Sequence, residues 1–477
     1  MTDDTRRRWL ALYVLCLGTL MIVLDATIVN VALPSIREDL GFSQSSLAWV
    51  VNAYLLTYGG CLLLGGRLGD LFGHRRLFVA GISLFTLASL ACGLATAQWF
   101  LVAARSVQGV GGAVASAVGL SLVMTLFTEP ADRAKAMGVV GFVAAGGGSI
   151  GVLAGGVLTD LLSWHWIFLV NLPIGALVVG LCLRLVPGAR GAGARLDVAG
   201  ALAVTAALML AVFAIVNGNG AGWTSLRTLG LLAAAAALLA AFVAIEARVA
   251  SPLVPLRLFR IRTVAVANAV GVLWSAAMFA WFFLAALYLQ LVLGYSPLEV
   301  GLAFLPANLL MGAFSLGLSA KLVLRFGIRP TLAAGMALVA LGLALFARAP
   351  VDGAFVVDVL PSMLLLGLGV GTAMNPVLLA AMSDVAPEES GLASGVVNTA
   401  FMMGGALGLA VLASLAAART ETLAALGHGP LAALTGGYQA AFLAGAVVAG
   451  AAAVVGAALL QPRTEPDGAL VPAAEEC

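Results

Sequence analysis

The feature that most constrains this chain is a series of long apolar segments with almost no charge. The first of them has no charged residue from Leu10 to Leu24, and over all 477 residues 62% are hydrophobic and only 10% are charged. A soluble domain is closer to half apolar and a quarter charged, so a water-soluble fold is excluded. A membrane β-barrel would alternate polar and apolar residues over short strands, whereas these runs are continuous. The sequence therefore predicts an all-α membrane protein.

Fourteen segments have the length that a bilayer-crossing helix needs, about 20 residues each. The first is too long to be the core of a signal peptide, so we interpret it as a retained helix. The predicted spans are 9–33, 45–69, 77–96, 99–127, 136–161, 166–186, 197–217, 226–247, 263–287, 298–320, 330–348, 356–382, 391–416 and 437–460.

The distribution of basic residues supports this number of spans. With fourteen spans both termini lie on one side, and the tail and loops of that side hold 19 of the 24 Lys and Arg residues. The opposite side holds four, and Arg105 lies inside a span. Basic loops mark the cytoplasmic side, so we expect a multi-pass protein of the cell membrane with both termini in the cytoplasm. The basic residues act as topology signals and do not indicate a nucleic-acid partner. The scattered cysteines, without a CxxC pair, predict no metal or redox site.

A weak internal repeat predicts how the helices are grouped. The segment "GRLGDLFGHRR" (66–76) follows the second span and "AKLVLRFGIRP" (320–330) follows the tenth, and they align with Gly73 opposite Gly327. Repeated bundles with a substrate site between them are typical of secondary transporters. We therefore predict two six-helix bundles plus two inserted helices: 1–186 as the N-terminal bundle, 187–262 as the inserted helices with their linkers, 263–460 as the C-terminal bundle, and 461–477 as a disordered cytoplasmic tail.

Asp25 is an acidic residue placed where the sequence predicts hydrocarbon. A charge at mid-bilayer costs about 2.5–3.5 kcal/mol on insertion scales, and such residues are usually functional or paired. Burial favours the protonated form of a carboxylic acid and a nearby cation favours the ionised form, so a proton site is one interpretation. Arg105 is its expected partner, because the two residues lie ~12 and ~9 Å below the same membrane surface at 1.5 Å per helical residue. A structural polar contact for Asp25, and a clamp on backbone carbonyls for Arg105, remain the alternatives.

Several motifs resemble a known family when they are taken in order along the chain. They are "LDATIVNVALP" in the first helix, "GRLGDLFGHRR" after the second, "RSVQGVGGA" in the fourth, "GVLAGG" in the fifth and "WHWIFLVNLPIG" before the sixth. Together they resemble the fourteen-helix drug:proton antiporter branch of the major facilitator superfamily, over the whole chain. The resemblance implies that family's fold and proton-driven efflux of drugs and antibiotics. It also implies that Arg105, within the motif of the fourth helix, is associated with proton transfer.

The loop after the second helix and the glycine-rich fifth helix are the predicted gating elements. The stretch "GFVAAGGGSIGVLAGG" lacks the GK[ST] ending of a phosphate-binding loop, and its glycines recur every four residues, which indicates close helix packing. In the resembled family a proline usually follows the second of these glycines, where this chain has Val152. The resemblance further suggests that Asp70 forms a latch on the cytoplasmic side. The predicted gating residues are Gly66, Asp70, Gly73, Arg75, Gly147, Gly151, Gly155 and Gly156.

A substrate site is predicted from amide, aromatic and methionine side chains, which form an adaptable apolar surface with a few orienting groups. We expect small amphiphilic molecules that are neutral, weakly basic or zwitterionic, a monomer in the bilayer, no enzymatic activity, and no cofactor besides the proton gradient. Two alternatives stay open: a facilitator that exports an endogenous metabolite or lipid or imports a nutrient, and a membrane sensor that does not transport. The candidate substrate-binding residues are Asn30, Asn52, Tyr54, Gln108, Trp281, Asn308, Met311, Asn375, Asn398 and Met402.

Overall fold

The computed structural model describes residues 3–187, 198–249, 252, 254, 256–382, 385 and 390–460, and every regular element in these ranges is helical. The predicted tail 461–477 lies outside the described residues. The helices are α1 (Asp3–Leu40), α2 (Trp49–Phe72), α3 (His74–Gly93), α4 (Gln98–Leu126), α5 (Pro130–Leu161), α6 (Trp166–Leu169), α7 (Asn171–Leu185), α8 (Val198–Ala221), α9 (Leu226–Glu246), α10 (Arg262–Leu291), α11 (Pro297–Ala313), α12 (Ser319–Phe326), α13 (Ile328–Phe346), α14 (Leu360–Met382), α15 (Ser390–Ala425) and α16 (Pro430–Leu459).

These helices form fourteen runs in the described ranges, at the positions of the predicted spans. The short α6 continues into α7, and a π-helical turn at Phe314–Leu318 joins α11 to α12. In the part of the chain that the structure describes, eleven helices are long and apolar enough to cross a membrane, and shorter apolar helices cover Ser46–Leu62, Ile150–Leu161 and Pro297–Ala313. The predicted all-α membrane fold is therefore confirmed.

The predicted ends of the spans are less accurate than their number. Helix α3 occupies His74–Gly93, three residues earlier than the predicted 77–96, and α16 begins at Pro430 instead of 437. Apolarity marks only the part of a helix that lies in hydrocarbon, whereas the hydrogen-bonded backbone continues into the polar interface. The charged first turns of α1 show the same effect, because they contain Asp3 and Arg6–Arg8.

The aligned glycines of the internal repeat have the same backbone role. Gly73 ends α2 with φ 91° and Gly327 ends α12 with φ 87°, and each is followed directly by the next helix. Each glycine N–H also donates to the carbonyl four residues earlier, in Gly69 and Val323 respectively. A positive φ is readily accessible only to glycine, so both copies of the repeat require glycine at this reversal.

The helices pack in three groups, of which the hairpin of α8 and α9 is the middle one. In the first group, α1 packs on α5 and α7, while α4 packs on α2 and α3. In the last group, α13 packs on α14 and α16, while α10 packs on α15 and α16. These groups meet where α5 contacts α11, where α2 contacts α15, and where α1 contacts α10. The hairpin of α8 and α9 lies against the α2–α15 contact, because α8 touches both of those helices and α9 packs on α8. We call α8 and α9 the inserted hairpin and the α2–α15 contact the seam.

Glycine allows the closest approach between the first and last groups. A Cβ atom at Gly156 in α5 would lie 2.6 Å from the carbonyl oxygen of Pro297 at the start of α11. A Cβ atom at Gly301 in α11 would lie 3.1 Å from the carbonyl oxygen of Val152. The backbones of α5 and α11 are therefore in near contact, the arrangement that small residues permit between membrane helices. On the same side of the protein, Gln290 of α10 donates a 2.8 Å hydrogen bond to the carbonyl of Val31 in α1.

Candidate functional site

Asp25 and Arg105 form an ion pair inside the first helix group. The Arg105 Nη1 atom lies 2.5 Å from Asp25 Oδ2, and both side chains are completely shielded from solvent. Helix α1 positions the acid and helix α4 positions the base, so the pairing expected from their depths is what the structure contains. Two buried charges at this distance need further hydrogen bonds to offset the cost of removing them from water.

Neutral side chains supply those hydrogen bonds to the carboxylate. Asp25 Oδ1 accepts from Gln108 Nε2 at 2.7 Å and from Asn171 Nδ2 at 3.0 Å. Both amides also donate to the Ser89 hydroxyl, which itself donates to the Phe85 carbonyl at 2.8 Å. Helices α1, α3, α4 and α7 thus each contribute to one network. We call Asp25, Ser89, Arg105, Gln108 and Asn171 the ionic cluster.

Arg105 is held by neutral groups as well as by Asp25. Its Nε donates to the Val50 carbonyl at 2.9 Å, and its Nη1 also donates to Gln108 Oε1 at 2.6 Å. The guanidinium carbon lies 4.4 Å from the centre of the Tyr54 ring, within the range of a cation–π contact. The remaining Nη2 is buried without a hydrogen-bond partner. Arg105 therefore has a fixed position that does not depend on Asp25 alone, and one donor directed to no protein group.

Asp25 is the only acidic member of the ionic cluster, and Arg105 is its only cation. One guanidinium and two amide donors surround the carboxylate, and no solvent reaches it. Protonation of Asp25 would therefore remove the only negative charge of the cluster.

The sequence predicts part of the ionic cluster. Asp25 and Arg105 lie together as expected, and Gln108 and Tyr54, which we predict to bind substrate, lie against the ion pair. The Gln108 amide is fully engaged with Asp25, Ser89 and Arg105. Ser89 and Asn171 were not predicted to belong to this site. Asn171 stood within the quoted "WHWIFLVNLPIG" motif, and its polarity in an apolar context was the available signal.

Four of the predicted substrate residues carry buried polar atoms without partners. Both amide atoms of Asn52 in α2 and both of Asn308 in α11 lack hydrogen bonds, as do the Tyr54 hydroxyl in α2 and the indole nitrogen of Trp281 in α10. All four side chains are at least 98% buried. A buried polar group without a partner costs about 1–3 kcal/mol, so such groups require a partner from outside the protein or a functional reason. The Trp281 ring also packs on Phe304, with ring centres 5.8 Å apart.

The remaining predicted substrate residues have protein contacts of their own. Asn30 donates weakly to the Thr27 carbonyl at 3.3 Å, and Asn375 donates to the Ser315 carbonyl at 2.7 Å, which holds α14 against the π-helical turn. Met311, Asn398 and Met402 are half-buried. Of the ten candidates, one belongs to the ionic cluster, four carry unpaired polar atoms, and the other five form hydrogen bonds within the protein or are half-buried.

The predicted gating glycines of α5 face two different partners. Gly147 packs on Val23, Gly151 on the Leu24 backbone and Gly155 on the Ile28 carbonyl, so three of them fit α5 against α1. Gly156 faces α11 instead, across the boundary between the helix groups. The glycines of α5 thus contact α1 near Asp25 on one face and α11 of the last helix group on the other.

The loop between α2 and α3 contains the other predicted gating residues. Arg75 donates to the Val186 carbonyl at 3.0 Å, just after the end of α7, where a cation also complements the helix dipole. Gly66 has open space where a Cβ atom would be, and Gly73 has the positive φ described above. The side chain of Asp70 lies outside the described part of the structure, so its proposed latch stays a prediction.

Comparison with known proteins places the chain among membrane transporters. The model of the Major Facilitator Superfamily matches residues 15–409. The puromycin resistance protein pur8 of Streptomyces alboniger is 40% identical over 467 residues, covering 96% of this chain and 92% of the relative. The cephamycin export protein CmcT of Amycolatopsis lactamdurans is 40% identical and covers 88% and 87%. The lincomycin resistance protein of Streptomyces lincolnensis is 40% identical and covers 86% and 85%.

A solved structure shares the fold at low sequence identity. The crystal structure of a mutant of the nucleoside transporter NupG superposes with a TM-score of 0.66 at 14% identity, covering 95% of this chain and all of the other. At that identity the likeness concerns the fold alone. The family match and the long relatives agree with it, and the chain belongs to the major facilitator superfamily.

Proposed function

We propose that the protein exports antibiotics or similar small amphiphilic molecules and couples export to proton entry by alternating access. The named relatives act in puromycin and lincomycin resistance and in cephamycin export, which supports the substrate class. The fully buried Asp25–Arg105 ion pair is the observation that carries the coupling. Protons are the only co-substrate in this proposal, and no enzymatic step takes part.

The predicted substrate residues support uncharged or weakly charged molecules. Asn52 and Asn308 offer both a donor and an acceptor, and Trp281 offers a donor beside aromatic carbon. None of these groups carries a charge, and the Asp25 carboxylate is already bound by Arg105 and two amides. A ligand that pairs with these amides would recover the free energy that their burial costs. A dication would find no equivalent partner among them.

We further propose that the protein is a monomer in the cell membrane with both termini in the cytoplasm. The even number of helical runs and the 19-to-4 division of basic residues support this orientation. The α5–α11 contact and the Gln290–Val31 hydrogen bond then lie on the outer side, where they close the path between the helix groups. The structure would therefore correspond to a state whose outer side is shut.

A susceptibility panel tests the function. A drug-sensitive host that expresses the protein should tolerate higher concentrations of puromycin, lincomycin or a cephamycin than the same host with the Asp25→Asn variant at equal protein level. Unchanged susceptibility to the whole panel would contradict antibiotic export. Flux in proteoliposomes would then separate a metabolite facilitator, which transports, from a sensor, which does not.

A further inference from the structure

An apolar cavity lies between the inserted hairpin and the seam. Its volume is about 150 Å³, and its walls come from α2, α8, α9, α15 and the linker after α9. It is separate from the ionic cluster, and none of the predicted substrate residues lines it. We call it the hairpin cavity. Its lining residues are Gly60, Val204, Phe242, Val254, Phe259, Val396, Thr399, Ala400 and Met403.

One polar group interrupts the apolar walls. The Thr399 hydroxyl is buried without a hydrogen-bond partner, and the side chain is only 8% exposed. All other lining residues are apolar: aliphatic or aromatic side chains, one methionine and one glycine. An unpaired buried hydroxyl is costly, so the cavity fits a chain-like apolar ligand with a polar atom, such as an ester oxygen, near one end.

Exposed basic residues lie next to the cavity. Val254 and Phe259 belong to the linker between α9 and α10, which also carries Arg248 and Arg260. Arg262 is the first residue of α10, and all three arginine side chains are exposed. In the orientation proposed above, this linker lies at the cytoplasmic membrane surface. A ligand with its chain in the cavity would therefore place a head group among cations, which favours a negatively charged head group.

We propose that the hairpin cavity binds one acyl chain of an anionic phospholipid of the inner leaflet, with its phosphate near Arg260 and Arg262. The lipid would contact α2 and α15, which belong to different helix groups, and would bridge them to the inserted hairpin. A transported drug fits less well, because the seam is closed beside the cavity: a Cβ atom at Gly59 would lie 2.9 Å from Met402 Cβ and 3.3 Å from Met403 Cγ.

Native mass spectrometry of the full chain in detergent tests the site with phosphatidylglycerol and with phosphatidylcholine of identical chains. Phosphatidylglycerol should bind more tightly, and the Arg260→Gln variant should lower its affinity about fivefold. Arg329→Gln is the matched control, since it removes an exposed arginine on the same side at the start of α13. Equal binding of the two lipids to the wild-type protein would overturn the proposal.

Filling the cavity tests where the chain binds. Ala400→Leu should weaken phosphatidylglycerol binding by at least about fourfold, since each methylene kept out of an apolar site costs about 0.8 kcal/mol. Ala237→Leu makes the same change on the exposed face of α9 and should have no effect. Equal binding by the Ala400 variant and the wild-type protein would contradict an acyl-chain site in the cavity.

A photoreactive lipid tests the site without any substitution. Phosphatidylglycerol with a diazirine in one chain should label wild-type residues around Phe242 and 396–403, and excess phosphatidylglycerol should prevent the labelling. Labelling confined to other segments would overturn the assignment. Loss of this labelling with puromycin, at unchanged total lipid binding, would assign the cavity to transported drugs and would also overturn it.

Discussion

The exchange Asp25→Asn should separate the proposed proton coupling from substrate binding. Asparagine has nearly the shape of aspartate, but its amide nitrogen would face a donor on either side: Arg105 Nη1, or the amides of Gln108 and Asn171. Removing one partner of a buried ion pair typically costs about 3–5 kcal/mol of stability. We expect the cost to be at the lower end, because the Val50 carbonyl, Gln108 Oε1 and the Tyr54 ring still hold Arg105.

The size of the transport effect follows from the driving force. A gradient of one pH unit provides about 1.4 kcal/mol per proton, so exchange of one proton per substrate can concentrate the substrate about tenfold. Proteoliposomes with an acidic lumen should therefore accumulate radiolabelled puromycin about tenfold with the wild-type protein. With Asp25→Asn the ratio of internal to external puromycin should stay near one, while binding of puromycin to the purified variant persists.

A second aspartate on the same helix provides the control. Asp39 lies in the last turn of α1, is exposed, and accepts a 2.9 Å hydrogen bond from the Trp164 indole. Asp39→Asn makes the same chemical change outside the ionic cluster and should leave the tenfold accumulation intact. If Asp25→Asn accumulates puromycin as the wild-type protein does, the carboxylate is structural and protons cross by another route.

Three further expectations can be measured. Arg105→Lys should reduce gradient-driven puromycin uptake into proteoliposomes about tenfold or more, because lysine lacks the planar guanidinium that binds Val50 and Gln108 while stacking on Tyr54. Equal uptake at equal protein level would argue against that geometry. Val152→Pro should change the uptake rate or the coupling ratio without loss of membrane insertion, because proline would bend α5 beside Gly301. Unchanged kinetics would show that the missing proline has no mechanistic role. A membrane-impermeant maleimide should label Gly429→Cys in whole cells but not Gly193→Cys, a position outside the described residues, and labelling of the latter would refute the orientation.

The helices could be predicted from the sequence because the bilayer leaves few alternatives. A backbone in hydrocarbon must satisfy its own hydrogen bonds, so a long apolar run in this context is a helix. The repeat was recognisable at Gly73 and Gly327 because the reversal demands a positive φ at both places. The packing of the inserted hairpin against the seam was not predictable, since α8 and α9 are almost uniformly apolar and no sequence periodicity distinguishes their buried faces.

The ionic cluster was predictable only where its members carry charge. Asp25 and Arg105 are conspicuous among apolar residues, and their depths along α1 and α4 agree. Ser89 and Asn171 are neutral and short, and serine and asparagine occur in membrane helices for many structural reasons. Their role depends on where α3 and α7 place them around Asp25, which is tertiary information. Gln108 is expected one turn from Arg105 on the same face of α4, but its hydrogen bond to the Asp25 carboxylate could not be predicted from that spacing.

The neutrality of these members bears on the proton coupling proposed above. When Asp25 is ionised, the cluster contains one negative and one positive charge, and the amides complete the hydrogen bonds of the carboxylate. When Asp25 is protonated, one positive charge remains buried, but three neutral groups still hold it and Arg105 Nη2 is available to a further acceptor. A second acid in the network would leave a bound anion in both states and weaken the contrast between them. In the proposed coupling, one proton would change the net charge of this single-acid cluster from zero to +1, and that difference in charge would supply the differential interaction that a change of conformation requires.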